Sequence, residues 1–299
     1  MKWIDKHTHR AEFDIYTVKY LQDAQTDEGD FYPQLSSKAS YEDGFSESKY
    51  KSRTVAPSHF NGWLDVLMHE QMQDGRCRCC YCMRELQGND ISVEHLIPES
   101  FEGLDMKVEY QHYCSKAPEL KQHVVLGSTF DNVSHRIRID VTKLQRKPHL
   151  IAHSNLFPAC KAELGCSCNN ARGNKRILPL MLMDDVEKWV IYKPDGKMQI
   201  KYIEDIDAVI DTYRHLQIND DTLIQIRHLW YLFSRKQIVP TSDNAATEAG
   251  MQSLMEQAFG GSVDTDYQQY YNNDYYRALV PQYNWFYNYY LNNYPIQQA

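Results

Sequence analysis

Four short runs carry the residue types on which metal chemistry depends: Cys79-Cys80-Tyr81-Cys82, Val93-Glu94-His95-Leu96-Ile97-Pro98, Asn155-Leu156-Phe157-Pro158-Ala159-Cys160 and Cys168-Asn169-Asn170-Ala171-Arg172-Gly173-Asn174-Lys175. The first holds a C-x-x-C pair, Cys79 with Cys82. Two thiolates at that spacing on a tight turn can point at one ion, and tetrahedral zinc then needs two more ligands from elsewhere. Cys160 and either Cys166 or Cys168 can supply them. Ile91 to Leu96 reads as a short strand. Its end at Pro98 would let Glu94 and His95 share a site, although neighbouring side chains on an extended strand diverge.

The rest of the chain bounds this reading. Its 299 residues are 42% hydrophobic and 24% charged, enough to bury a proper core. No window approaches the ~20 apolar residues of a membrane span. Met1 to Arg10 is polar and lacks the apolar core of a secretory signal, so a cytoplasmic protein is expected. In a reducing compartment clustered cysteines are metal ligands more often than disulfides. Of the eight cysteines, Cys77, Cys79, Cys80 and Cys82 fall within six residues, and Cys160, Cys166 and Cys168 within nine. Cys77, Cys80, Cys114 and, where Cys168 is the ligand, Cys166 are expected to be small buried hydrophobes. A thioredoxin-like redox role would need C-x-x-C before a helix in a βαβ pattern, which is absent. No H-E-x-x-H occurs either, since His69-Glu70 is followed by Gln71-Met72-Gln73.

The net charge of −8 sits badly with phosphate binding, which usually needs a cationic surface. Charge is uneven, however: from His135 to Arg176 there are nine Lys/Arg against Asp140 and Glu163. Taken alone, that stretch reads as an ordinary solvated face. His95 suits the role of general base, since an unperturbed imidazole titrates near pH ~6.5. Hydrolysis of a phosphodiester needs such a base, a device to orient it, and a cation for the developing charge.

Outside this region, a helix is expected over Phe13 to Leu21, then a polar loop around Ser36 to Arg53, then a helix after Asn61. His135 to Val141 alternates like a half-exposed strand. Trp189 to Tyr192 and Met198 to Tyr202 flank Pro194-Asp195-Gly196 as a hairpin. Ile203 to Leu216 reads as a helix, and Asn219 or Asp220 caps the next one. Residues 240–265 resemble a linker. From Asp266 onward lie ten of the 22 tyrosines, with Trp285 and Phe286. Such a tail either packs on its own chain or offers a partner-binding surface.

Taken in order, the four runs resemble the HNH endonuclease family in its zinc-knuckle form. They span residues 77–176, about a third of the chain. The resemblance implies an α+β fold: a ββα-metal HNH core with a zinc knuckle, surrounded by mainly helical N- and C-terminal segments. The corresponding division is 1–75 as a helical segment, 76–182 as the nuclease core with an insertion at 99–152, 183–240 as a hairpin plus helices, and 241–299 as linker and aromatic-rich tail.

The resemblance also implies roles. Cys79, Cys82, Cys160 and, in preference to Cys166, Cys168 would hold structural Zn²⁺. Glu94 and Asn169, with Asn170 as second choice, would hold a catalytic ion, and oxygen ligands suit Mg²⁺ or Mn²⁺. His95 would be the base and Asn155 would hold it in orientation. Arg172, Lys175 and Arg176, placed on a following helix, would meet phosphate.

Two features depart from compact family members. His95 and Asn155 are 60 residues apart, across a segment holding His112, Cys114, His123, His135 and His149. Cys160 and Cys168 are further apart than the usual C-x-x-C. The Cys168–Asn174 run and the later Leu216-Gln217-Ile218-Asn219 step resemble the subgroup found beside retrons and in the Septu anti-phage system. That implies an effector nuclease working with an ATPase partner, with DNA the favoured substrate. RNA, tRNA included, would be cut by the same mechanism, and a non-catalytic zinc module that binds nucleic acid or protein is the remaining alternative.

Overall fold

The computed structural model describes residues 1–51, 60–88, 90–99, 105–161 and 168–296. Helix α1 (Arg10–Ala24) buries Phe13, Thr17, Tyr20, Leu21 and Ala24, one face at 3.6-residue periodicity. Within the expected loop, Ser40–Phe45 forms a π-helical turn. Phe45 stacks on Trp63, with ring centroids 5.1 Å apart, and accepts the indole N–H at its carbonyl. Trp63 opens α2 (Trp63–Glu70), which leads into strands β1 (Met72–Gln73) and β2 (Arg76–Cys77). Their turn, Asp74-Gly75, has positive φ at both residues, the backbone hand that a two-residue hairpin requires.

The central pairing is antiparallel, between β3 (Ile91–His95) and a strand far along the chain, Leu156–Cys160, with Ile91 opposite Cys160 and His95 opposite Leu156. The insertion between them is mainly helical: α3 (Met106–Lys116), α4 (Pro118–His123), β4 (Val124–Val125), α5 (Gly127–Ser134) and β5 (Lys147–Pro148). The strand expected over His135 to Val141 does not form. Ile137 is exposed while Val141 is buried. Alternation without a neighbouring ladder does not make a strand. Leu156–Cys160 is then β6, buried at every position. Helix α6 (Cys168–Arg172) packs against it. The α+β class therefore holds, with small sheets and mostly helical surroundings.

Beyond the site come α7 (Val186–Trp189) and the expected hairpin, β7 (Val190–Tyr192) with β8 (Met198–Ile200). Asp205 caps α8 (Ile206–Leu216), and Asp220 caps α9 (Asp221–Lys236). Asn219 instead brackets the backbone of Met198 through both ends of its amide. The expected linker contains α10 (Glu248–Phe259), capped by Thr247 and packed on α9. Short helices α11 (Gln269–Asn272) and α12 (Asp274–Leu279) precede α13 (Trp285–Asn293). No helix among the described residues is long and apolar enough to cross a membrane.

The aromatic tail packs on its own chain. Tyr270, Tyr283, Phe286 and Tyr290 are buried, and α13 lies along α9. The Tyr290 and Tyr294 hydroxyls donate to the Lys193 and Tyr192 carbonyls, tying the tail to the hairpin. Phe286→Ala should therefore lower unfolding free energy by roughly 3–5 kcal/mol in urea titrations, the usual range for a buried phenyl. A loss below about 1 kcal/mol would show that the tail is not part of the core.

Candidate metal centre and adjoining cleft

The loop after β2 folds back on itself. Cys79 N–H donates to Arg84 O at 2.8 Å, Met83 N–H to Cys79 O at 3.2 Å, and Met83 adopts φ of 67°. This turn sets Cys79 and Cys82 side by side. Cys160 ends β6 and Cys168 starts α6, so two distant parts of the chain converge on them. The Cys79–Cys168 and Cys82–Cys160 sulfurs are 3.8 and 3.7 Å apart, and all four Sγ atoms lie within 4.8 Å of one another. The edge of a tetrahedron with ~2.3 Å metal–sulfur bonds is about 3.8 Å. All four are buried, where thiolates at this separation would repel without a cation among them. The donor set thus fits a metal ion such as zinc. Cys166 lies outside the described residues. Cys77, Cys80 and Cys114 are buried and outside the cluster, as expected of small hydrophobes.

Local sequence gave no sign of one partner of this site. Tyr283 donates its hydroxyl to Cys82 Sγ at 3.7 Å. Gln282 accepts from Glu85 N and Arg84 Nε, and Asn284 from Arg78, so the tail clasps the cysteine loop.

Beside the cluster lies a cleft of about 480 Å³ whose lining includes Glu94, His95, Asn169 and Leu150. The adjacent Glu94 and His95 are both among its lining residues, and both Glu94 carboxylate oxygens are buried. Glu94 is 1% exposed and ion-paired with Arg172. His95 Nε2 lies 3.0 Å from Leu150 O. A carbonyl only accepts, so Nε2 carries the proton and Nδ1 keeps the lone pair. Burial pushes the His95 pKa down to about 4, against the opposing pull of that carbonyl. Asn169 Nδ2 donates to Ser92 Oγ at 3.3 Å, which leaves the carboxamide oxygen as the end open to a cation.

Asn155 does not bond the His95 ring. Its amide accepts from Ile97 N at 2.6 Å and donates to Ile97 O and His149 O. It fixes His149, and the next residue is Leu150, which holds His95. Its link to His95 is thus indirect, through His149 and Leu150. Of the insertion's candidates, His149 sits behind this carbonyl. It accepts from Gly127 N–H, and burial, with His95 nearby, pushes its pKa down to about 3.

The expected phosphate contacts need correction. Arg172 is fully buried, and its guanidinium donates to the carbonyls of His95, Leu96 and Lys175 and to Tyr113. Arg176 is paired through two nitrogens with buried Glu109. The helix ends at Arg172, so Lys175 and Arg176 follow it instead of lying on it. Lys175 alone of the three is exposed. The opposite wall of the cleft, Lys38, Tyr41 and Glu42, comes from the polar segment read as a loop.

No family model matches the chain, and no curated protein or solved structure shows significant similarity to it.

Metal analysis of the purified protein should give about one tightly held equivalent. Cys82→Ala should lose it and the cooperative thermal transition together, because binding at a thiolate site is also folding energy. A stable, metal-free wild-type protein would sink this assignment. Acid should destabilise the fold through the two buried imidazoles. Their folded pKa values lie below the unfolded ~6.5, so the unfolded chain takes up protons that the native state refuses. The stabilisation is present above pH ~6.5 and is lost as pH falls toward 4. His95→Gln should flatten that part of the stability–pH curve, and an unchanged slope would contradict the burial argument.

Proposed function

We propose that the chain is a metal-dependent HNH-type endonuclease that hydrolyses nucleic-acid phosphodiester bonds, with DNA favoured. The observation that carries this reading is the meeting of Glu94, His95 and Asn169 in one cleft beside the four-cysteine cluster. They come from β3 and α6; β3 pairs with β6, and the cysteines bring the end of β6 and the start of α6 together. In this reading the cysteines hold structural zinc, and Glu94 and Asn169 hold Mg²⁺ or Mn²⁺. That ion would supply charge neutralisation at the scissile phosphate.

The chain's own residues do the rest. His95, neutral at pH 7, accepts the proton of the attacking water at Nδ1. Leu150 O fixes the ring by holding Nε2, and Asn155 fixes the backbone that presents Leu150. Arg172, ion-paired with Glu94, would hold its carboxylate in place. By the same resemblance, the protein acts in the cytoplasm as the effector of an anti-phage complex whose ATPase partner contributes nucleic-acid surface. The net charge of −8 is easier to reconcile with such a division of labour.

One observation favours the second reading, a non-catalytic zinc module. The Glu94 carboxylate is already paired with Arg172, so its charge is accounted for without a second metal. The two separate in one assay. Protein with and without its ATPase partner is incubated with DNA and with total RNA in Mg²⁺ or Mn²⁺. His95→Ala should reduce cleavage by about 10²–10⁴-fold while leaving zinc and nucleic-acid binding near wild type. Equal cleavage by His95→Ala under conditions where wild type is active would remove the nuclease reading.

A further inference from the structure

The cleft wall facing Glu94 and His95 is built from residues that no metal or nuclease motif marks. Tyr41 meets the His95 ring edge-on, with centroids 4.4 Å apart and planes at 86°. Three residues earlier, Lys38 also lines the cleft, and its ammonium is 2.9 Å from a carboxylate oxygen of Glu42. Among the described residues of the cleft lining, Lys38 is the one Lys or Arg side chain.

This wall is braced. On its N-terminal side the Asp131 carboxylate accepts from Leu35 N at 3.0 Å and Ser36 N at 2.9 Å. Gly127 lies so close that a Cβ there would sit 2.3 Å from Leu35 O. On the C-terminal side Phe45 is stacked on Trp63. Lys38 and Glu42 are thus exposed tips on a fixed base, with side chains 59% and 53% exposed.

A phosphodiester entering this cleft needs a cation besides any metal ion. Arg172 and Arg176 are committed to internal partners. The Lys38–Glu42 pair is solvent-exposed, and pairs of that kind hold weakly. We infer that Lys38 is a substrate-phosphate contact of this cleft and that Glu42 is its built-in competitor, holding the ammonium until a phosphate displaces it. The inference rests on the nuclease reading and names a substrate-binding device within it. It predicts opposite effects for two neighbouring residues: loss of Lys38 weakens nucleic-acid binding, whereas loss of the Glu42 charge strengthens it.

The test uses the full chain in a His95→Ala background, so that the probe is bound but not cut. Fluorescein-labelled duplex DNA and single-stranded RNA of equal length are titrated by anisotropy in Ca²⁺ across a salt series. Adding Lys38→Ala should weaken binding several-fold and reduce the slope of log K against log salt by about one. Adding Glu42→Gln should tighten binding several-fold. In the presence of Lys38→Ala, the Glu42→Gln effect should vanish, because the carboxylate then has no ammonium to withhold. If Glu42→Gln still tightens binding without Lys38, Glu42 acts by general repulsion and the competitor role is wrong. If the His95→Ala parent binds but Lys38→Ala changes neither affinity nor slope, the Lys38 contact is wrong while the nuclease reading stands. If the parent binds neither probe, both fall together.

Discussion

Convergence of four cysteine sulfurs is the constraint on which the rest of the site depends. Cys79 and Cys82 sit on a loop after a small hairpin, Cys160 ends a buried strand, and Cys168 begins a five-residue helix. None of these pieces is stable alone. A two-stranded pairing is marginal in water, and a helix this short does not form without tertiary support. A tetrahedral ion among the thiolates would fix the ends of β6 and α6 and the loop at once. Tyr283 and its neighbours close that loop from outside, so the C-terminal tail and the metal centre stabilise each other.

A second tie acts a few ångströms away. Arg172 spans the end of β3, with donors on the carbonyls of His95, Leu96 and Lys175 and a charge against Glu94. Strand ends leave carbonyls unpaired, and a buried guanidinium with five donors satisfies several together. This explains why the strand can stop immediately after His95. It also explains why Arg172 is unsuited to meet solvent-borne phosphate. The local pattern that marked it as basic held no information about burial.

What the sequence made legible follows from how local each signal is. The cysteine spacing and the hairpin at Pro194-Asp195-Gly196 are short-range features and appear where expected. Helix α9 likewise follows from its Leu223, Ile226, Trp230 and Phe233 stripe. His135 to Val141 misled because alternation signals a strand only when a neighbour is available to pair. Residues 248–259 misled in the opposite sense. Their helix is amphipathic through Met251, Met255 and Ala258, a thin stripe inside a polar stretch that resembles a linker. The wall of Lys38, Tyr41 and Glu42 was illegible for a different reason. Its proximity to His95 arises from contacts with Asp131 and Trp63, which are distant in sequence.

The protonation state of His95 links this architecture to the proposed chemistry. A general base works best when its pKa lies near the working pH. Burial instead holds His95 down to about 4, so the ring is fully in its basic form at neutral pH but is a weak proton acceptor. The balance shifts when the cleft fills. A phosphate beside the ring favours the imidazolium and raises the pKa, whereas a divalent cation close by lowers it. Leu150 O supports the first tendency, because a carbonyl fixed on Nε2–H gains most when the ring becomes positive. The geometry of the Asn155–His149–Leu150 support therefore does more than aim the ring. It supplies a carbonyl dipole already placed to stabilise the charge that proton uptake would create.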